Sequence, residues 1–190
     1  MTVALWLLAA LGVIGAFDTL YYHEWRARLP ARGAAFAAEL RLHAARDFFY
    51  AAIFGTLPWL AWQGAWVLVF AAILGIEILL TMWDFIVESV VRKPIGDVYA
   101  GERVTHNFIG IIYGAMIAVI TPTLWRWKAL PTALAPVDYD VPPFLVMGLL
   151  VMAVGVFVSG LRDLYASLGF PGGNWPWPKE NVESGASAEN

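Results

Sequence analysis

The sequence predicts an all-α, polytopic membrane protein of about five transmembrane helices, on three observations. Hydrophobic residues make up 60% of the chain and charged residues only 14%; mean hydropathy is +0.65, outside the usual mix of a soluble domain. Five apolar segments of near-membrane length follow one another with short connections, leaving no room for a separate soluble domain. Tryptophans gather where the turns between those segments would meet lipid headgroups: Trp59, Trp62 and Trp66 in one turn, Trp125 and Trp127 in another.

The first segment, about 3 to 25, is apolar from Met1 to Phe17, and its positive charges (Arg26, Arg28, Arg32) follow it, the polarity of a span and not of a cleaved signal peptide. The second, about 36 to 57, opens on polar residues at helical spacing, as does the fourth, about 102 to 124. The third, about 65 to 91, carries Glu77, Asp84 and Glu88 on one helical stripe. The fifth, about 143 to 165, has no charge before Arg162 and reads as scaffold. Residues 1 to 170 form one transmembrane domain on this reading, with halves at about 3 to 57 and 65 to 124 and an extra helix at 143 to 165. Residues 171 to 190, through Trp175-Pro176-Trp177-Pro178 to a Ser/Glu/Asn end, read as an irregular cytoplasmic tail.

Lys and Arg set the orientation. Arg26, Arg28, Arg32, Arg41 and Arg46 flank the first connection and Arg92, Lys93 and Arg103 the second, whereas the opposite side has Arg126 and Lys128. The N-terminus is therefore expected outside and the C-terminus in the cytoplasm, in a bacterial inner membrane or its equivalent. Arg92 and Lys93 read as cations that snorkel and complement a helix end. The net charge of −3 and the scattered arginines give no nucleic-acid partner. With no cysteine, thiolate metal sites, iron–sulfur clusters and disulfides are excluded, and any bound metal rests on oxygen and imidazole.

Helices two and four share a pattern. Glu39-x-x-x-His43 is followed seven residues later by Tyr50, and Glu102-x-x-x-His106 seven residues later by Tyr113. The preceding segments end on Glu24 and Glu88, 15 and 14 residues before Glu39 and Glu102. Each half is thus a hairpin offering Glu and then Glu-x-x-x-His, and two such hairpins pack most simply about a pseudo-twofold axis along the membrane normal. Spacing of four puts each Glu and His on one helical face, so the expected core is a four-helix bundle of two repeated hairpins.

This set resembles the carboxylate-bridged di-iron and di-manganese four-helix-bundle proteins, in which two helices each give a Glu and two give a Glu-x-x-His pair. The resemblance covers roughly residues 18 to 113 and is architectural. It implies Glu24 and Glu88 as the lone glutamates and Glu39/His43 and Glu102/His106 as the pairs, holding two metal ions: iron first, manganese or zinc as alternatives. The chain departs from the pattern in having three residues between Glu and His instead of two, which turns each His by about 100°.

Other polar groups in the spans extend the candidate site. Asp18, His23, Asp47, Glu77 and Asp84 are additional candidate ligands or partners that orient the imidazoles. His23 stands as a substitute for Glu24, because neighbours on an α-helix cannot both face the core. Tyr50, Tyr113 and Asp84 are candidate catalytic neighbours, with Asp84 and Glu77 as a proton route. The expectation is a di-metal oxidoreductase acting on a lipophilic small molecule from the bilayer, such as a lipid, isoprenoid or quinol, alone or with a redox partner or as a homo-oligomer. A divalent-cation or proton transporter, a haem carrier with His43 and His106 as axial ligands, and a non-catalytic assembly subunit are the alternatives.

Overall fold

The computed structural model describes residues 1–180. Five long helices form: α1 (Thr2–Phe17), α2 (Ala37–Thr56), α3 (Trp66–Val91), α4 (Ala100–Lys128) and α5 (Pro143–Ser167). Four are long and apolar enough to cross a membrane, α1 together with its continuation to Arg26, α3, α4 and α5, which is the make-up of an integral membrane protein. The exception is α2, whose first half carries Glu39, Arg41, His43, Arg46 and Asp47. Large apolar side chains such as Leu79, Ile111, Val151 and Phe144 stand exposed on α3, α4 and α5, a surface that water would not tolerate and lipid would.

The helices do not pair in the order of the chain. The tight neighbours are α1 with α4, and α2 with both α3 and α5, so that α5 also lies between α1 and α2. Close approach of α2 and α5 depends on Gly160, where a Cβ would come within 2.9 Å of Asp47 Cβ and 3.2 Å of the Ala44 carbonyl. At one end of the bundle Leu5, Leu8, Ile53, Leu57, Phe70, Met116, Ile120 and Leu149 make a wholly apolar core. That end is closed by a short antiparallel pair, β1 (Leu60–Gln63) with β2 (Ala133–Pro136), in register Leu60 to Pro136 and Gln63 to Ala133.

At the other end α1 does not stop at Phe17. It continues as a wide π-helical stretch, Asp18–Arg26, ending in the five-residue hydrogen bond from the Ala27 N–H to the Tyr22 carbonyl at 2.8 Å. A short helical turn (Leu29–Arg32) and a 3-10 turn (Gly33–Phe36) lead into α2. Residues 171 to 180 contain no regular helix or strand but are docked: Arg28 and Arg32 both donate to the Glu180 carboxylate (3.1 and 3.0 Å), and the Arg28 guanidinium lies 4.6 Å from the Trp177 ring centroid. The rest of the expected tail, 181 to 190, lies outside the described residues.

Candidate metal centre

A polar cluster fills the end of the bundle opposite the β-pair, with side chains from all five helices. The π-helical stretch supplies Asp18 and His23. In such a stretch each hydrogen bond spans five residues, so positions 18 and 23 fall on the same face, whereas on a regular α-helix they would diverge. Both are buried, and His23 Nε2 lies 3.6 Å from Asp18 Oδ2 and 3.1 Å from Glu102 Oε1. Glu24 is turned away and pairs with Arg162 at the edge of the cluster. Of the two neighbours weighed at the sequence level, His23 is therefore the one that faces the core.

The other two histidines are flanked by carboxylates from across the bundle. His106 Nε2 is 3.0 Å from Asp18 Oδ2, and its Nδ1 is 3.6 Å from Glu88 Oε1. His43 Nε2 is 3.3 Å from Asp84 Oδ2 and 3.8 Å from Glu39 Oε1, and its Nδ1 is 3.7 Å from Asp163 Oδ2. The His23 ring stacks on His43 at 4.5 Å and meets His106 edge-on at 6.1 Å, so the three imidazoles form a contiguous group.

Two arginines enter this cluster. Arg92 is fully buried, and its guanidinium donates to both Glu39 oxygens (2.6 to 3.0 Å) and to Glu102 Oε1 (3.1 Å). The snorkelling expected of Arg92 is thus corrected: the two repeat-equivalent glutamates draw it inward, a fork of donors meeting carboxylates in a dry site. Arg46 donates to Asp84 Oδ2 at 2.7 Å and to Glu77 Oε1 at 3.4 Å, and the Thr81 hydroxyl completes Glu77 at 2.7 Å. Tyr50 and Tyr113 meet each other edge-on at 6.0 Å, deeper in the bundle, where the Tyr113 hydroxyl donates to the Leu74 carbonyl at 3.3 Å.

Two sets of three side chains bring ligand atoms within 4.8 Å of one another: Asp18, His23 and His106, and Glu88, Glu102 and His106. Among the described residues the buried Asp18 Oδ1, Asp84 Oδ1 and Glu88 Oε2 have no hydrogen-bond partner, and the buried Nε2 atoms of His23 and His43 face carboxylate oxygens without well-aligned hydrogen bonds. Orphaned buried acceptors cost about 1 to 3 kcal/mol each, and carboxylates and imidazoles alike are groups that ligate cations. Sequence reasoning missed Asp163 and Arg162, because a lone acidic residue beside an arginine at the end of an apolar span looks like an ordinary helix terminus. It also missed Arg46 as a site residue.

Beside the cluster lies a cavity of about 600 Å³ between α1, α2 and α5. Its walls are mostly apolar, including Leu11, Gly12, Gly15, Phe54, Met152 and Gly155; its polar end is Asp18, His23, His43, Asp47 and Asp163. The fold and site together define a helical membrane protein with a buried carboxylate, imidazole and guanidinium cluster opening onto an apolar chamber. No family model, curated protein or solved structure matches this chain.

Proposed function

We propose that this chain is a membrane-embedded metal-dependent oxidoreductase, with a centre of two metal ions, iron first, acting on a lipophilic substrate. The observation that carries the reading is the convergence of buried carboxylates and imidazoles, with partnerless oxygens on Asp18, Asp84 and Glu88 among the described residues, beside an apolar cavity whose inner end is lined by Asp18, His23 and His43. Charge supports it. Asp18, Glu39, Glu77, Asp84, Glu88, Glu102 and Asp163 are all buried in the cluster, against two guanidiniums, the fully buried Arg92 and the part-buried Arg46, that each bridge two of them. Bound cations would neutralise the remaining carboxylates, which ionised in so dry a place are otherwise costly.

Of the ligands implied by the di-metal resemblance, Glu88, Glu102 and His106 would form one half of the centre, and Asp18 and His23, in place of Glu24, the other. Glu39 and His43 stand close by, Glu39 held by Arg92. A pair of iron or manganese ions held there would supply one- and two-electron chemistry on a bound substrate; the oxygen and imidazole donors also suit zinc, which would act only as a Lewis acid.

The two-hairpin repeat is part of the same proposal. His43 of α2 pairs with Asp84 of α3 while His106 of α4 pairs with Asp18 before α2, a crosswise exchange of the kind a pseudo-twofold axis generates. We also read α2 as a fifth span, because its charged half packs inward between α3 and α5, away from lipid. The alternatives have less support. His23 stands between His43 and His106, leaving no space for a haem macrocycle between them, and Arg46 clamps Glu77 and Asp84, setting a fixed positive charge on the stripe a cation would follow.

Metal analysis of the full chain purified in mild detergent tests the proposal. About two transition-metal ions per chain are expected, as in carboxylate-bridged centres, with occupancy falling in His106→Ala and Asp18→Asn. Folded protein that takes up no metal from iron, manganese or zinc solutions would overturn it.

A further inference from the structure

The cavity between α1, α2 and α5 has a chemistry of its own, and its shape follows from small residues. Gly12, Gly15 and Ala16 on α1 face Gly155 and Ser159 on α5, and a Cβ placed on Gly15 or Gly155 would meet nothing within 4 Å. Larger side chains would fit at both positions, so the gap is kept open where helix packing would tolerate closure. Ala16 and Gly155 are exposed, which places the mouth on the lipid-facing surface between α1 and α5.

The inner end is polar and lopsided. Arg162 is engaged by Glu24, and Arg46 by Glu77 and Asp84, so neither cation is free to receive an anion. The remaining ionisable lining is dominated by Asp18, Asp47 and Asp163 with His23 and His43, and Thr19, Tyr50 and Ser159 add hydroxyls. Among the described residues Asp18 Oδ1 is buried without a hydrogen-bond partner, on a residue 5% exposed, while the Nε2 atoms of His23 and His43 face the Glu102 and Asp84 carboxylates. Such a pocket offers acceptors and repels carboxylate or phosphate. Beside the polar end the lining includes Trp25 and the docked Trp175-Pro176-Trp177 segment, indoles being the side chains that sit where an amphiphile's head and tail meet.

We infer that the cavity binds a single-chain amphiphile that enters from the bilayer between α1 and α5, and whose head donates hydrogen bonds and bears no negative charge, such as a hydroxyl. This deepens the oxidoreductase reading by naming the substrate class, and it rests on that reading for what happens after binding. The tail occupies the wall of Leu11, Phe54 and Met152, and the hydroxyl reaches the Asp18, His43 and Asp163 end.

Photolabelling of the full chain in phosphatidylcholine nanodiscs tests it, with a diazirine-bearing hexadecanol and the matching hexadecanoic acid as probes. The alcohol is expected to label residues of α1 and α5 around Gly12 to Ala16 and Met152 to Ser159, at least about ten-fold more than the acid, a difference of about 1.4 kcal/mol. Gly155→Phe and, separately, Gly15→Leu fill the space and should each cut alcohol labelling several-fold with bound metal unchanged. Two independent fillers guard against one variant failing to fold. Equal labelling by the acid, or alcohol labelling indifferent to both fillers, would overturn the inference. Metal-free protein that still discriminates alcohol from acid would sink the oxidoreductase reading and leave this one standing.

Discussion

A guanidinium with no exposure to solvent, forked onto Glu39 and touching Glu102, gives Arg92 a role that its place in the chain does not advertise. Removing one member of a buried charge pair strands the others, at a cost of about 3–5 kcal/mol. Arg92→Met is therefore expected to lower the thermal midpoint of the detergent-solubilised protein sharply, and Arg92→Lys less so, since an ammonium keeps the charge but loses the fork. A midpoint within a degree or so of the parent for Arg92→Met would show the pair to be incidental. The same residue marks how far the site can be read from sequence. The Glu-x-x-x-His pairs were legible because spacing of four fixes a shared face whatever the surroundings, and Glu39, His43, Glu102 and His106 do converge. Arg92 was not, because position alone cannot tell a cation at a helix end that reaches for water from one that two buried carboxylates recapture. Asp163 was hidden for a like reason: its partner, His43, is more than a hundred residues away, and no local spacing links them.

At the level of elements, the five helices were readable from hydropathy to within about a turn, but the change of pitch after Phe17 was not. Apolar periodicity assumes 3.6 residues per turn, and on that assumption Glu24 and Glu88 look equivalent. The wider π-helical turns put His23 in the core and send Glu24 to Arg162. Deleting Leu20, which is 66% exposed at the rim of the cavity, should let the stretch relax towards a regular α-helix. Helicity by circular dichroism is then expected to hold while His23 swings off Glu102 and metal binding drops; unchanged metal content would mean that the wide turn does not position the site. The junction of α2 with α5 offers a second test at this scale. Gly160→Val would push against Asp47 and the Ala44 carbonyl, and overpacking of this kind costs about 1–3 kcal/mol. Loss of stability together with a loosened Asp163–His43 contact is expected, the latter followed by a shift in the His43 imidazole resonances. A stable Gly160→Val protein with an unperturbed His43 would show that the helices can separate freely there.

For the whole molecule, the structure changes the charge count on which orientation rests. Two of the cations assigned to the connections, Arg46 and Arg92, belong to the buried cluster and cannot act as topological anchors. Arg28, Arg41, Lys93 and Arg103 still flank the cluster end, and Arg28 and Arg32 there hold Glu180 of the docked segment. The β-paired end has Arg126 and Lys128. The bias towards the cluster end keeps its sign after the subtraction, and we propose on that bias that the cluster end faces the cytoplasm. On the proposed reading the asymmetry in depth follows: the apolar core lies towards the β-pair, and the candidate ligands would lie where cytoplasmic metal and reductant arrive. Because the chain contains no cysteine, single introduced cysteines report topology without background. Asp140→Cys, in the exposed segment between β2 and α5, is expected to react in intact cells with a membrane-impermeant maleimide, whereas Pro94→Cys, between α3 and α4, should react only after permeabilisation. The reverse pattern would invert the proposed orientation. Labelling of both sites from one side would remove the case for α4, the one long helix between them, crossing the membrane.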